Sequence, residues 1–233
     1  KTIMEKDLKD FQLIELLDIR SLLQSYPIEE IDKIFDAIAK KLFNEYHIKK
    51  GDSTYDFLEI EFYYFDKTHE DIITYPRTIG KGKWFFHNSG MDISFESSCV
   101  KGFDKKSEAD NNFFGGILIR SLVKNETNVI TGPQKCTWEL FDSFSAFEFC
   151  PDELPIIEQK PAGDKFDIYK TIRWIPFNEE KAVIDYGKTN FNSFKEHHPK
   201  LYRYYIRHSI WEKIKTSDYN ARPWDRGAKE IRF

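Results

Sequence analysis

Residues 57–65 read FLEIEFYYF, with two glutamates, Glu59 and Glu61, inside a run that is otherwise aliphatic and aromatic. In an extended strand side chains alternate between faces. Phe57, Glu59, Glu61, Tyr63 and Phe65 then share one face, and Leu58, Ile60, Phe62 and Tyr64 the other. A carboxylate can take a proton from water and steady a growing positive charge. The rings beside it can stack on a flat ligand. A strand glutamate more often faces solvent, so this pattern alone defines a candidate rather than a site. His69 and Asp71 follow closely in the chain. With the two glutamates they make a donor set suited to Mg²⁺ or Mn²⁺, although the spacing matches no compact ligand motif.

The elements that must position these residues follow from periodicity. Leu8, Phe11, Ile14, Leu17 and Leu22 recur at helical spacing, as do Ile28, Ile31, Ile34, Phe35, Ile38 and Leu42 after Pro27. Two amphipathic helices are therefore expected in the first 45 residues. After the turn KKGDS the pattern changes to short strands: YDFLEIEFYYF, KWFFHNS, MDISFESS and FFGGILIRSLV. VITGPQKCTWELFDSF is expected to turn from a strand into a short helix, and residues 151–165 to form an irregular loop. FDIYKTIRWIPF, KAVIDYG and LYRYYIRHSIW read as further strands. Helices leading into a mostly antiparallel sheet give an α+β domain spanning 1–233.

The composition is 40% hydrophobic and 32% charged, ordinary for a globular chain, but 21 Phe, 12 Tyr and 5 Trp are a rich aromatic supply. No apolar run approaches the roughly 20 residues of a membrane helix, and the first residues show no secretory pattern. Cys99, Cys136 and Cys150 are too few and too irregularly spaced for a disulfide framework or a zinc site. The expectation is a cytoplasmic protein with no membrane contact and no cofactor. Net charge is −4, yet residues 195–233 hold 10 Lys+Arg against 5 Asp+Glu. A basic segment on an acidic body is compatible with a polyanion on one face.

Four blocks, taken in order, resemble the alkyladenine (3-methylpurine) DNA glycosylase family. They are FLEIEFYYFDKTH (57–69), GGILIRSL (115–122), ITGPQKC (130–136) and LYRYYIRHSIW (201–211). The resemblance implies N-terminal helices packed on a curved, mostly antiparallel sheet with a protruding hairpin. It implies a monomeric, metal-independent enzyme acting on double-stranded DNA that carries a damaged or modified base. The base would be flipped into an aromatic pocket and its N-glycosidic bond hydrolysed by water. The alternative is a catalytically silent relative that binds nucleic acid or a nucleotide.

By the same resemblance Glu61 is the general base that activates water, and Arg120 helps to hold that water. Tyr63 and His69 would wall the pocket, with Glu59 in a supporting place. Trp84, Phe85 and Phe86 correspond to the family's intercalating hairpin, where tyrosines are usual; an aromatic wedge survives that change. Asp92 stands where the family has an asparagine and is expected to contact the base. An ionised carboxylate cannot donate a hydrogen bond, so base selectivity is expected to differ. Gly132, Lys135, Arg203 and Arg207 are the remaining expected DNA contacts.

Overall fold

The computed structural model describes residues 8–100, 111–163, 165–173, 200–213 and 231–232. The expected strand KAVIDYG lies outside the described residues.

The first expected helix is broken into pieces: α1 (Leu13–Leu16) and α2 (Ile19–Ser25), after helical residues 8–10. Capping chemistry overrides the apolar spacing here. The Glu15 carboxylate accepts from the Gln12 amide at 2.7 Å, and the Asp18 side chain accepts from the Ser21 amide at 3.1 Å. Each bond satisfies an amide that starts a new helix. Leu13, Leu16 and Leu17 are buried as a result, while Ile14 leaves the expected stripe and is 48% exposed.

The second helix forms as its pattern predicts. A 3-10 turn (Ile28–Glu30) follows Pro27 and runs into α3 (Ile31–Glu45). Its buried stripe is Ile31, Ile34, Phe35, Ile38, Ala39, Leu42 and Phe43. Burial of seven such side chains against the sheet supplies far more stability than intrinsic helix propensity.

Among the described residues eleven strands form one sheet. They are β1 (Tyr46–Lys50), β2 (Ser53–Asp66), β3 (His69–Glu70), β4 (Trp84–His87), β5 (Gly90–Ser94) and β6 (Phe114–Lys124). β7 (Asn128–Thr131), β8 (Ile156–Gln159), β9 (Ile168–Thr171), β10 (Arg203–Ile206) and β11 (Ile231–Arg232) follow. The order along the main path is β11-β9-β10-β2-β6-β5-β4, and every described ladder is antiparallel. α4 (Pro133–Leu140) follows β7, as expected.

A second expectation fails: residues 151–165 are not all irregular. Ile156–Gln159 pairs with β1 as an edge strand, preceded by a 3-10 turn at Pro151–Glu153. Two adjacent isoleucines suit a pleated edge, but the surrounding Pro, Gly and Asp hid so short a segment.

α3 lies on the sheet face that carries Ile60, Phe62 and Tyr64. Phe35 stacks on Phe62 with ring centroids 4.5 Å apart, and Tyr204 meets Phe62 edge-on at 5.0 Å. The odd-numbered side chains Glu59, Glu61 and Tyr63 therefore project to the opposite face. The apolar core takes one side of β2, and the acids take the other.

Candidate functional site

On the face turned away from α3, pairing aligns one row across five strands. It runs Asp92 (β5), Leu118 (β6), Glu61 (β2), Arg203 (β10) and Thr171 (β9). Directly opposed residues project to the same side, so the register alone brings Glu61 beside Arg203. The next row toward the end of β2 holds Tyr63, Gly116 and Ser94.

Arg120 reaches this face through an irregularity in β6. Ile119 opposes Ile60 and Ser121 opposes Glu59, leaving Arg120 unopposed at a register shift. An irregularity of this kind re-aims side chains. Arg120 Nε donates to Glu59 Oε1 at 2.9 Å, and its Nη1 donates to Glu61 Oε2 at 3.1 Å. The Ser121 hydroxyl donates to Glu59 Oε2 at 2.9 Å. Arg203 Nε donates to Glu59 Oε1 and lies 3.8 Å from Glu61 Oε1. The Tyr63 hydroxyl donates to Glu61 Oε2 at 2.7 Å.

Glu59 is 4% exposed, Glu61 0%, Arg120 8% and Arg203 2%, so two carboxylates and two guanidiniums sit out of water together. Each would be strongly unfavourable alone and is tolerable because it is paired. Burial by itself would lift the Glu59 carboxyl, but Arg203 and Arg120, with the Ser121 hydroxyl, hold it below the usual carboxylate range. Burial would lower the Arg120 guanidinium, and Glu61 and Glu59 outweigh it, so that Arg120 stays charged. Burial and the adjacent Glu61 push the Tyr63 phenol well above its ordinary value, so it remains a hydrogen-bond donor. Tyr63 is the half-buried member, at the edge of the cluster.

Glu61, Arg120 and Tyr63 are thus brought together. His69 lies on β3. Its Nδ1 pairs with the Tyr64 carbonyl at 2.9 Å and its Nε2 with the Tyr202 hydroxyl at 2.9 Å. The link to Tyr63 runs through Arg173, whose guanidinium lies 4.7 Å from the Tyr63 ring centroid and 5.4 Å from that of Tyr202. Asp71 forms a two-point ion pair with Arg173. Glu59 and Glu61 thus share Arg120, Asp71 is held by Arg173 and His69 by Tyr64 and Tyr202, and no cluster of three metal-binding side chains occurs among the described residues.

The hairpin of β4 and β5 splits its aromatic residues between faces. Trp84 opposes Ile93 on the helix side, with its indole N–H donating to the Pro155 carbonyl at 3.0 Å. Phe85 opposes Asp92 on the cluster side, and the Arg77 guanidinium covers its ring at 3.8 Å. Phe86 is 51% exposed, edge-on to Phe141. Asp92 is buried, 2.7 Å from Arg77 Nη2 and 2.9 Å from His87 Nε2. Among the other expected DNA contacts, Arg203 is buried in the cluster, while Lys135 is exposed on α4. Arg207 is exposed with its guanidinium 4.8 Å from the Tyr169 ring. The Gly132 amide donates to the Arg120 carbonyl at 2.8 Å, and its φ of +103° is a value glycine adopts readily.

Arg77 and Arg173 escaped sequence reasoning as members of this face. Arg77 fills the space that a Gly116 side chain would take: a Cβ there would lie 2.9 Å from Arg77 Nη1. The pair Gly115-Gly116 was a usable signal, since glycine inside a strand marks a close approach.

Among comparisons with known proteins, no family model and no solved structure matches the chain. An uncharacterized protein of Acanthamoeba polyphaga mimivirus is similar, 24% identical over 204 residues, which cover 78% of this chain and 90% of the viral one. Among the described residues no helix is long and apolar enough to cross a membrane.

Proposed function

We propose that the chain is a monofunctional DNA glycosylase that removes a damaged or modified base by hydrolysis. The observation that carries this reading is the Glu61 carboxylate, held by Arg120 at 3.1 Å and by the Tyr63 hydroxyl at 2.7 Å on a face edged by aromatic residues. In the proposed reaction the bond from the sugar carbon to the base nitrogen breaks, and the bonding pair leaves with the base. Water adds to the sugar carbon and gives its proton to Glu61. Arg120 fixes the orientation of the carboxylate, and the half-buried Tyr63 ring would stack on the flat base. Arg120 and the Tyr63 hydroxyl supply electrostatic positioning, the source from which an enzyme commonly draws its largest rate advantage.

A second reading is favoured by burial. Glu61 is 0% exposed and Asp92 is taken by Arg77 and His87. Both facts suit a relative that binds nucleic acid or a nucleotide without excising a base.

The test uses duplexes carrying hypoxanthine, 3-methyladenine, ethenoadenine or a bulky modified base, with and without EDTA, followed by alkali. The glycosylase reading expects EDTA-resistant abasic sites that disappear in Glu61→Gln. Binding without cleavage, unchanged by that substitution, would establish the second reading instead. Direct strand breaks abolished by EDTA would refute both.

A further inference from the structure

The 24 residues from 136 to 159 hold six carboxylates and no lysine or arginine. Three of these acids are already matched. Glu139 meets Lys124 at 2.8 Å, Asp142 meets Lys50, and Glu158 meets His47 at 3.2 Å. Glu148, Asp152 and Glu153 form no ion pair among the described residues. They lie in the same segment as an exposed aromatic group: Phe147 is 99% exposed, Phe149 79%, Trp138 65% and Phe144 58%. Phe86 of the β4–β5 hairpin adjoins this group through Phe141, whose ring centroid is 4.7 Å away.

The segment is organised rather than slack. The Ser145 amide donates to the Glu153 carboxylate at 2.8 Å. The Ser145 hydroxyl oxygen accepts from the amides of Phe147 and Glu148 at 3.2 and 3.0 Å. These bonds close a compact turn without using any aromatic side chain. The phenylalanines are therefore displayed in a pre-shaped loop, which lowers the ordering entropy that association must overcome.

Four exposed aromatic side chains within one short, organised segment bordered by carboxylates mark an interaction surface, and aromatic anchors dominate the energetics of such surfaces. The unmatched carboxylates select the partner. They repel phosphate, and so disfavour nucleic acid and anionic lipid. They attract lysine and arginine.

We propose that residues 138–153 dock a basic, apolar segment of another protein. Its aliphatic side chains cover Phe147, Phe149 and Trp138, and its lysines or arginines meet Glu148, Asp152 and Glu153. This surface stands independently of the Glu61 cluster.

The experiment titrates the full chain into a fluorescently labelled amphipathic Lys/Leu peptide and follows anisotropy. Controls are a Glu/Leu peptide of the same pattern and a Lys/Ser peptide lacking leucine. The expected result is saturable binding of the Lys/Leu peptide alone, weakened by added salt and at least about tenfold by Phe147→Ser with Phe149→Ser. Both side chains are exposed, so this variant keeps the wild-type circular dichroism spectrum and melting temperature. Equal binding of the Glu/Leu peptide, insensitivity to the paired substitution, or binding to anionic vesicles in preference to the Lys/Leu peptide would each overturn the proposal. Self-association of the chain that the paired substitution abolishes would also overturn it, by assigning the surface to a second copy.

Discussion

Replacing Arg120 by methionine tests the cluster directly. The native group of Glu59, Glu61, Arg120 and Arg203 carries two negative and two positive charges, all nine-tenths or more buried. Methionine fills much of the volume but removes the donors to Glu59 Oε1 and Glu61 Oε2. Arg203 is then left bonded to Glu59 and 3.8 Å from Glu61, without the Arg120 charge that both acids share. Removing one partner of a buried ionic group is destabilising by about 3–5 kcal/mol. At about 2–4 °C per kcal/mol for a chain of this size, the melting temperature should fall by roughly 6–20 °C. Glu61→Gln keeps a carbonyl oxygen for Arg120 and Tyr63, and should be destabilising by only about 1–2 kcal/mol. Because the glutamine also removes the stranded negative charge, the double variant should be more stable than the sum of the single losses, by about 1 kcal/mol or more. Urea unfolding followed by circular dichroism near neutral pH measures all three variants. The reasoning is refuted if Arg120→Met is destabilised by less than about 1 kcal/mol, or if the two substitutions simply add.

Other measurements probe the same face and its surroundings. Gly116→Ala would place a methyl 2.9 Å from both Arg77 Nη1 and the Ile93 carbonyl; urea unfolding should show a loss of about 1–3 kcal/mol. Trp84→Ala should be destabilising by about 2–3 kcal/mol, because its ring is partly buried against the core and edge-on to Phe141. Phe86→Ala should cost about 1 kcal/mol or less, because its ring is half in solvent; similar losses for the two would contradict the observed difference in their burial. Burial pushes the phenols of Tyr63, Tyr64, Tyr202 and Tyr204 above their ordinary value of 10.0. A raised folded value means that stability is full below about pH 10 and falls as pH rises beyond it, where the unfolded phenols ionise first. An alkaline titration should therefore show their tyrosinate absorbance appearing together with unfolding. Glu59 has the opposite sign: its carboxyl is held below 4.5, so its contribution is present above that pH and fades on acidification. Glu59→Gln should flatten the acid limb of the stability curve.

The helix Ile31–Glu45 and the strand Ser53–Asp66 were legible because their signals are local. A period near 3.6 or 2 places side chains on faces before any partner is known. The first helix was misread as continuous because an apolar spacing does not reveal that Gln12 and Asp18 will start new turns. β8 was missed because four residues of an edge strand carry too little pattern.

The candidate site divides along the same line. From FLEIEFYYF alone it followed that Glu59, Glu61 and Tyr63 share a face, since alternation is a property of the extended backbone itself. Which cation each acid meets was decided by tertiary structure. Arg120 lies 61 residues from Glu59 in the chain and Arg203 lies 144 residues away. Both arrive through the register of neighbouring strands, and Arg120 needs the shift between Ile119 and Ser121 to face the acids. Register is set by the packing of whole faces, so no window of sequence contains it. The same holds for Asp92, which the hairpin offers to Arg77 and His87 inside the protein. Chain order put the carboxylates among rings, and only the assembled sheet determined that they would be buried as ion pairs.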